Sequence, residues 1–226
     1  MDDRTTEAAL ATTKFGVGQP VRRTEDPKLV RGEGRYTDDV NLAGQAYAVM
    51  VRSSNAHGII RGIDTEAAKA MPGVLAVLTG ADLAGYGGLK CNLPIKSRDG
   101  SPIRYTPRPA LPTDKVRYVG DPVACVVAKT IAQAKDAAEA VVLDIEPLPA
   151  VMSAREAAKP GAPVLYDEVP NNVCLDYHYG DGDKVAAAFA GAAHVLKLPL
   201  VNQRLVVNAI EPRSAIGEYD KTDGKW

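Results

Sequence analysis

The stretch Val123 to Glu146, VACVVAKTIAQAKDAAEAVVLDIE, decides the fold class. Val123 to Ala128 is apolar at every position, the pattern of a strand covered on both faces, and Cys125 sits inside it. Thr130 and Gln133 then have the spacing of a capping box. Ile131, Ala134, Ala138, Val141 and Val142 follow at intervals that place them on one helical face. Leu143-Asp-Ile-Glu146 reads as a second strand, closed by Pro147-Leu148-Pro149. A strand, a helix and a strand within 24 residues require a helix-covered sheet.

Upstream, the same alternation continues. Tyr47–Val51 and Ile59–Ile63 read as strands, Asp64 caps a short helix ending near Met71, and Val74–Leu78 is a third apolar run. Thr79-Gly-Ala-Asp82 opens another short helical segment, and Val116–Val119 begins a strand that Gly120-Asp121-Pro122 breaks. Between them, Tyr86–Thr113 carries five prolines and no sustained period, so it is expected to be a long surface loop. The class is α+β, a mixed α/β domain over residues 41–150, preceded by a turn-rich N-terminal arm, 1–40.

Beyond Pro149 the composition becomes that of a linker, 151–180, in which Ser153 and Glu156 can cap one short helix. Residues 181–226 read as the beginning of a second, incomplete domain. Asp183 is expected to cap a helix with Val185, Phe189 and Ala192 on one face; strands are expected at 195–200, 202–210 and 215–219, and a hairpin at Asp223-Gly224.

Composition excludes several classes of function. The 226 residues are 46% hydrophobic and 24% charged, as in soluble globular proteins, and 27 Lys and Arg against 28 Asp and Glu leave a net charge of -1. No basic segment supports nucleic-acid binding. The acidic N-terminus lacks the charge and apolar core of a signal peptide, and no apolar run is long enough to span a bilayer, which points to the cytoplasm. Cys91, Cys125 and Cys174 have neither disulfide-scaffold nor zinc-finger spacing.

Residue chemistry alone names no reaction. Gly16-Val-Gly18 lacks the third glycine and the strand-to-helix setting of a dinucleotide-binding turn. His57 can act as a base or ligand in principle, but a lone loop histidine is read as a hydrogen-bonding turn residue. His178 and His194 are not at metal-ligand spacing, and no metal site is expected from the three histidines. Cys125 is expected to be a buried, inert thiol. Cys91, beside Lys90, is the more accessible one, with no histidine partner to activate it. Glu211-Pro212-Arg213 is either an anion-contacting pair or an ion pair fixing a strand end. Arg98, Asp99, Arg104 and Arg108 decorate the long loop as solvated charges or as a partner surface.

Several words of the sequence, in order, resemble the large, molybdenum-bearing subunit of the xanthine dehydrogenase, aldehyde oxidase and aerobic carbon monoxide dehydrogenase family. They are Gly16-Val-Gly-Gln-Pro-Val-Arg-Arg-Thr-Glu-Asp26 and Gly32-Glu-Gly-Arg-Tyr-Thr-Asp-Asp39 in the arm. In the domain they are Arg52-Ser-Ser-Asn-Ala-His57, Pro72-Gly-Val-Leu-Ala-Val-Leu-Thr-Gly-Ala-Asp82, Val116-Arg-Tyr-Val-Gly-Asp-Pro-Val-Ala124, and the exit Ala137 to Val151. Gly182 to Phe189 and Asn208-Ala-Ile-Glu-Pro-Arg213 resemble the start of the first molybdopterin-binding domain. Asn55 departs from the proline usual at that turn.

The resemblance implies an α/β hammerhead domain followed by the start of a molybdopterin-binding domain. It also implies an oxidoreductase that hydroxylates an aldehyde, N-heterocycle or similar small molecule with oxygen from water. Its cofactors would be a molybdopterin dinucleotide with molybdenum, and iron-sulfur clusters and FAD in partner subunits. No residue here matches the family's cofactor-holding loops or its glutamate base. The expectation is therefore no catalytic, cofactor-binding or metal residue in this chain, and no activity from it alone. The competing reading is a non-catalytic structural or assembly module that binds iron-sulfur or flavin subunits.

Overall fold

A computed structural model describes residues 23–90, 93–202, 205–209 and 211–226. The Gly16-Val-Gly18 arm word and Cys91 lie outside the described residues. The chain divides into two compact units, Gly44–Pro199 and a second formed by Met1–Ala43 with Leu200–Trp226.

Among its described residues the larger unit has six strands: β1 (Tyr47–Arg52), β2 (Gly58–Asp64), β3 (Val74–Thr79), β4 (Lys115–Val116), β5 (Pro122–Ala128) and β6 (Val142–Pro147). They form two three-stranded sheets, in the orders β1-β5-β3 and β4-β2-β6, and every pairing is antiparallel. β5 is central, with Met50 opposite Cys125 on one side and Leu78 opposite Cys125 on the other. The unbroken apolar run thus occupies the strand whose backbone groups are paired on both edges.

The helices of this unit are short: α1 (Glu66–Lys69), α2 (Ile131–Glu139), α3 (Ala154–Ala157) and α4 (Gly182–Ala190). Thr130 caps α2, its hydroxyl accepting the Gln133 backbone N–H at 3.2 Å. Only that half of the expected box forms, because the Gln133 side chain packs beside Gly73 with its Oε1 buried and unpartnered. Ala68, Val77, Ala124, Val126, Ala137 and Val141 make one core, with Ile63 and Leu143 of the other sheet packed on it. The two sheets therefore share a core.

Several expectations shift. The inward face of α2 carries Ala134 and Ala137, while Ile131 is exposed at the first turn; the helix ends before Val142, which is a surface residue of β6. β5 is buried mainly through Ala124, Val126 and Ala128, the residues alternation sends to one face, so Cys125 is half-buried. Asp64 supports α1 by accepting the Glu66 N–H at 3.0 Å, from one place outside the cap position. The strand expected at 116–119 stops at Val116 because residues 117–121 turn. The cap of α4 is Asp181, two residues before the expected Asp183; its carboxylate accepts the Lys184 N–H at 3.0 Å.

The long loop is tied back on itself. Gly88 bridges Pro109, Lys96 bridges Pro102, and the Tyr105 hydroxyl donates to the Leu89 carbonyl at 2.7 Å. Residues 151–180 pack within the same unit: Val169 is fully buried, and Asn172 donates to the carbonyls of Ala157 and Pro163.

In the smaller unit a helical turn spans Asp26–Leu29, a 3-10 turn spans Thr37–Asp39, and Asp220 bridges Lys225 around the Asp223-Gly224 turn. The Tyr219 and Trp226 rings meet at 4.9 Å. None of the described residues in 195–219 is in a strand, contrary to expectation. An extended segment becomes a strand only when a neighbour pairs with its backbone, and none of the described residues does so here.

Candidate functional site

The most constrained polar region is built from Asp114 to Asp121, the word that joins β4 to β5. Its Gly120 adopts φ +89°, where a side chain would be strained. That turn lets the Gly120 N–H donate to the Ser53 carbonyl at 2.8 Å, while the Ser53 N–H donates to the Asp121 carbonyl at 2.9 Å. Asp121 and Ser53 are buried, and the Asp121 carboxylate accepts the Arg117 N–H at 3.0 Å. The Gly-Asp-Pro word therefore ties the end of β1 to the start of β5.

Arg117 is held on every side. Its guanidinium donates to the carbonyls of Leu165 and Lys115, both at 3.1 Å, and to the Asp114 carboxylate at 2.9 Å. It also lies 4.6 Å from the centre of the Tyr166 ring. Burial pushes the Asp114 carboxyl up, but hydrogen bonds from Arg117 and the Lys115 N–H, with the charge of Arg117, outweigh it and hold that carboxyl below its ordinary value.

Against this knot opens a cleft of about 620 Å³, walled by the stem of the long loop at Gly88 and Pro109, by Tyr118 and Asp121, and by Leu165 and Tyr166. Burial, followed by the negative charge and hydrogen bonding of Asp121, raises the Tyr118 phenol, which stays a protonated donor at neutral pH. Arg108 lines the same cleft. The arrangement can bind and orient a ligand.

The residues singled out from the sequence are dispersed. His57 is a turn residue: its Nδ1–H donates to the Pro149 carbonyl at 2.8 Å and its own carbonyl accepts the Leu148 N–H at 2.9 Å, stapling the domain exit to β2. His178 and His194 are exposed. Burial pushes the Cys125 thiol up, and among the described residues no basic side chain pairs with it. Glu211 accepts the Thr37 N–H at 3.1 Å and forms no ion pair with Arg213. Of the loop charges, Arg98 pairs with Asp176 at 3.6 Å, Arg104 reaches Asn171 at 3.5 Å and Asp99 accepts the Ser101 N–H. Arg98 and Arg104 line a hollow of about 790 Å³ together with Asn171 and residues 173–176.

Sequence reading did not single out Arg117, Tyr118, Asp121 or Tyr166. The available signal was the Gly120-Asp121 turn, separated from Arg117-Tyr118 by Val119 alone. Tyr166 had none, being 49 residues from Arg117 and in a stretch with linker composition.

Residues 31–149 match the family model of the aldehyde oxidase and xanthine dehydrogenase a/b hammerhead domain. The chain belongs to that family. Among curated relatives the hammerhead chain is 38% identical over 214 residues to the nicotine 6-hydroxylase large subunit of Paenarthrobacter nicotinovorans, covering 94% of this chain and 25% of that one. It is 34% identical over 232 residues to the carbon monoxide dehydrogenase large chain of Afipia carboxidovorans, covering 97% and 28%. Among solved structures, quinoline 2-oxidoreductase from Pseudomonas putida 86 superposes with a TM-score of 0.62 at 34% identity, over 81% of this chain and 23% of the other. The hammerhead chain thus spans about a quarter of the length of the relatives it matches. No helix among the described residues is long and apolar enough to cross a membrane.

Proposed function

We propose that this chain supplies the hammerhead portion of the large subunit of a cytoplasmic molybdenum hydroxylase, with 1–40 as its arm, 41–150 as the hammerhead, 151–180 as a linker and 181–226 as the start of the first molybdopterin-binding domain. The net reaction is R–H plus water giving R–OH, two protons and two electrons, with R–H an aldehyde, an N-heterocycle or a similar small molecule. A molybdenum-bearing molybdopterin dinucleotide supplies the two-electron chemistry when bound, and partner subunits with iron-sulfur clusters and FAD carry the electrons onward. Support comes above all from collinearity: the match to the nicotine 6-hydroxylase large subunit runs through 94% of the chain, arm and tail included.

Among the described residues no three His, Cys, Asp or Glu side chains gather. Molybdenum carried on a molybdopterin asks instead for loops that hold the pterin, and the resemblance puts those loops in other segments. The metal's surroundings and the catalytic base are assigned to other segments of the subunit. The role of the present residues is structural. The shared core and the Asp114–Asp121 knot give the subunit a framework on which the long loop is held, through its own bridges and its bonds to Cys174 and Asp176.

The test is to purify the native assembly through a tag on this polypeptide, and separately the 226-residue chain, and to measure molybdenum, pterin and dye reduction with aldehydes and N-heterocycles. The assembly should contain molybdenum and reduce dye, whereas the chain alone should do neither. Stoichiometric molybdenum on the chain alone would overturn the assignment of its ligands elsewhere. An assembly free of molybdenum and pterin would instead support the structural or assembly module.

A further inference from the structure

We infer that the cleft between the loop stem and the 117–121 turn binds a planar aromatic or heteroaromatic molecule carrying one anionic group. Three features of the cleft lead there. Its volume, about 620 Å³, falls in the range of sites that enclose small organic ligands. Its walls present flat π and ring surfaces, those of Tyr86, Tyr118 and Tyr166 with Pro107 and Pro109, and Tyr86 and Tyr118 are exposed rather than packed against other side chains. Aromatic faces of this kind favour a planar guest through stacking and edge contacts.

Charge selects the guest further. Arg117 is matched by Asp114, and the buried Asp121 carboxylate is engaged by the Arg117 N–H and sits beside the Tyr118 hydroxyl. Arg108 is different: it lines the cleft but makes no ion pair among the described residues, and its charge acts on the Tyr118 hydroxyl. Asp121 makes no ion pair among the described residues either, but it is buried. Arg52, which donates to the Gly120 carbonyl at 2.8 Å, Arg108 and Arg117 stand against Asp114 and Asp121, so the cleft's surroundings keep one positive charge. Arg108 is the exposed member lining the cleft, and its guanidinium receives a carboxylate through paired N–H donors. A cationic guest would meet the tyrosine faces but be opposed by Arg108.

The walls are also preorganised. The Leu89 N–H donates to the Arg108 carbonyl at 2.9 Å, Gly88 bridges Pro109, and the opposite wall is fixed by the Arg117 bonds to Leu165 and Asp114. A Cβ on Gly88 would lie 2.8 Å from the Arg108 carbonyl oxygen, so the stem depends on glycine for its close approach. Little ordering is left for a ligand to impose.

Equilibrium dialysis of the protein, isolated in the polypeptide and assembly in which it occurs, tests the inference with three probes of one shape: 2-naphthoate, neutral 2-naphthamide and 2-naphthylmethylammonium. The carboxylate should bind saturably and most tightly. Arg108→Gln should weaken it about tenfold and change the amide by less than about twofold. Tyr118→Leu should weaken all three probes together. Arg108 is a surface group with no side-chain hydrogen bond among the described residues, so Arg108→Gln should keep the parent thermal midpoint. Tyr118 hydrogen-bonds Asp121 in its own turn, so Tyr118→Leu should lower the midpoint slightly and is compared with Tyr118→Phe, which keeps the ring and should keep the binding. Absence of saturable naphthoate binding, equal naphthoate affinity in Arg108→Gln, or preference for the ammonium probe each overturns the inference. None of these measurements requires molybdenum or turnover, so failure here is distinct from failure of the proposed function.

Discussion

Two stretches of this chain rich in Val and Leu or Ala, the unbroken Val123–Ala128 and the run from Val195 to Val207, which Lys197, Pro199, Asn202, Gln203 and Arg204 interrupt, have opposite fates. In the first, β1 and β3 pair with both edges of the strand, and α2 with the rest of the core covers Ala124 and Val126. In the second, Leu196, Leu200, Leu205, Val206 and Val207 are exposed, up to 92% for Val207, and no described residue of the run is in a strand. Hydrophobicity supplies the drive to be buried, but a neighbouring strand must take the backbone hydrogen bonds and a facing layer must take the side chains.

The contrast breaks most directly by placing one carboxylate in each stretch. Val126→Asp should cost about 4 kcal/mol or more, since the charge enters a closed core, whereas Val206→Asp should stay within about 0.5 kcal/mol in this chain. Urea unfolding followed by circular dichroism measures both, and equal costs would erase the distinction. In the longer polypeptide proposed here, a cost for Val206→Asp similar to that of Val126→Asp would show that the second stretch acquires its own cover.

A smaller effect should come from the polar knot beside β5. Asp114→Asn removes the charge facing the Arg117 guanidinium and should destabilise the larger unit by about 1 kcal/mol, since the Asp114 carboxylate is largely exposed and water screens the pair. Because the folded protein holds the Asp114 carboxyl below its ordinary pKa, this contribution is present at pH values above the ordinary carboxylate range. It is lost as pH falls through the lower folded value. The gap between parent and variant in an acid-stability series should close over that window, and a gap constant down to the most acidic stable condition would exclude Asp114 as its source.

The smallest effect concerns the two described cysteines, both half-buried. Burial raises the Cys125 thiol on its central strand, so its reaction with a disulfide reagent at mildly alkaline pH should run about tenfold slower than that of Cys174. With Cys91→Ser as the background, single Cys→Ser variants assign the two phases. Equal rates would mean that β5 opens as readily as the 171–176 segment.

Much of the hammerhead was legible because local rules and the global fold agree there. The Thr130 cap, the apolar β5 run and the breaker at Pro72-Gly73 each act over a few residues, and each element formed within a few positions of its expected place. The cleft was not legible. Arg117 and Tyr166 meet across 49 residues, and Arg98 and Arg104 find Asp176 and Asn171 across 78 and 67, distances at which spacing carries no signal. His57 was read correctly as a turn residue, but its partner at Pro149 lay 92 residues away.

By itself, then, the sequence determined the alternation of strands and helices, the Thr130 cap and the order of family words, because those depend on side-chain period and nearest-neighbour chemistry. Tertiary structure alone decided that six strands divide into two antiparallel sheets over one core, and that a Gly-Asp turn, an arginine and a distant tyrosine form the wall of a cleft. It also decided which of two apolar runs is a strand. Pairing and burial are properties of a segment together with its neighbours, and only the folded chain brings those neighbours to it.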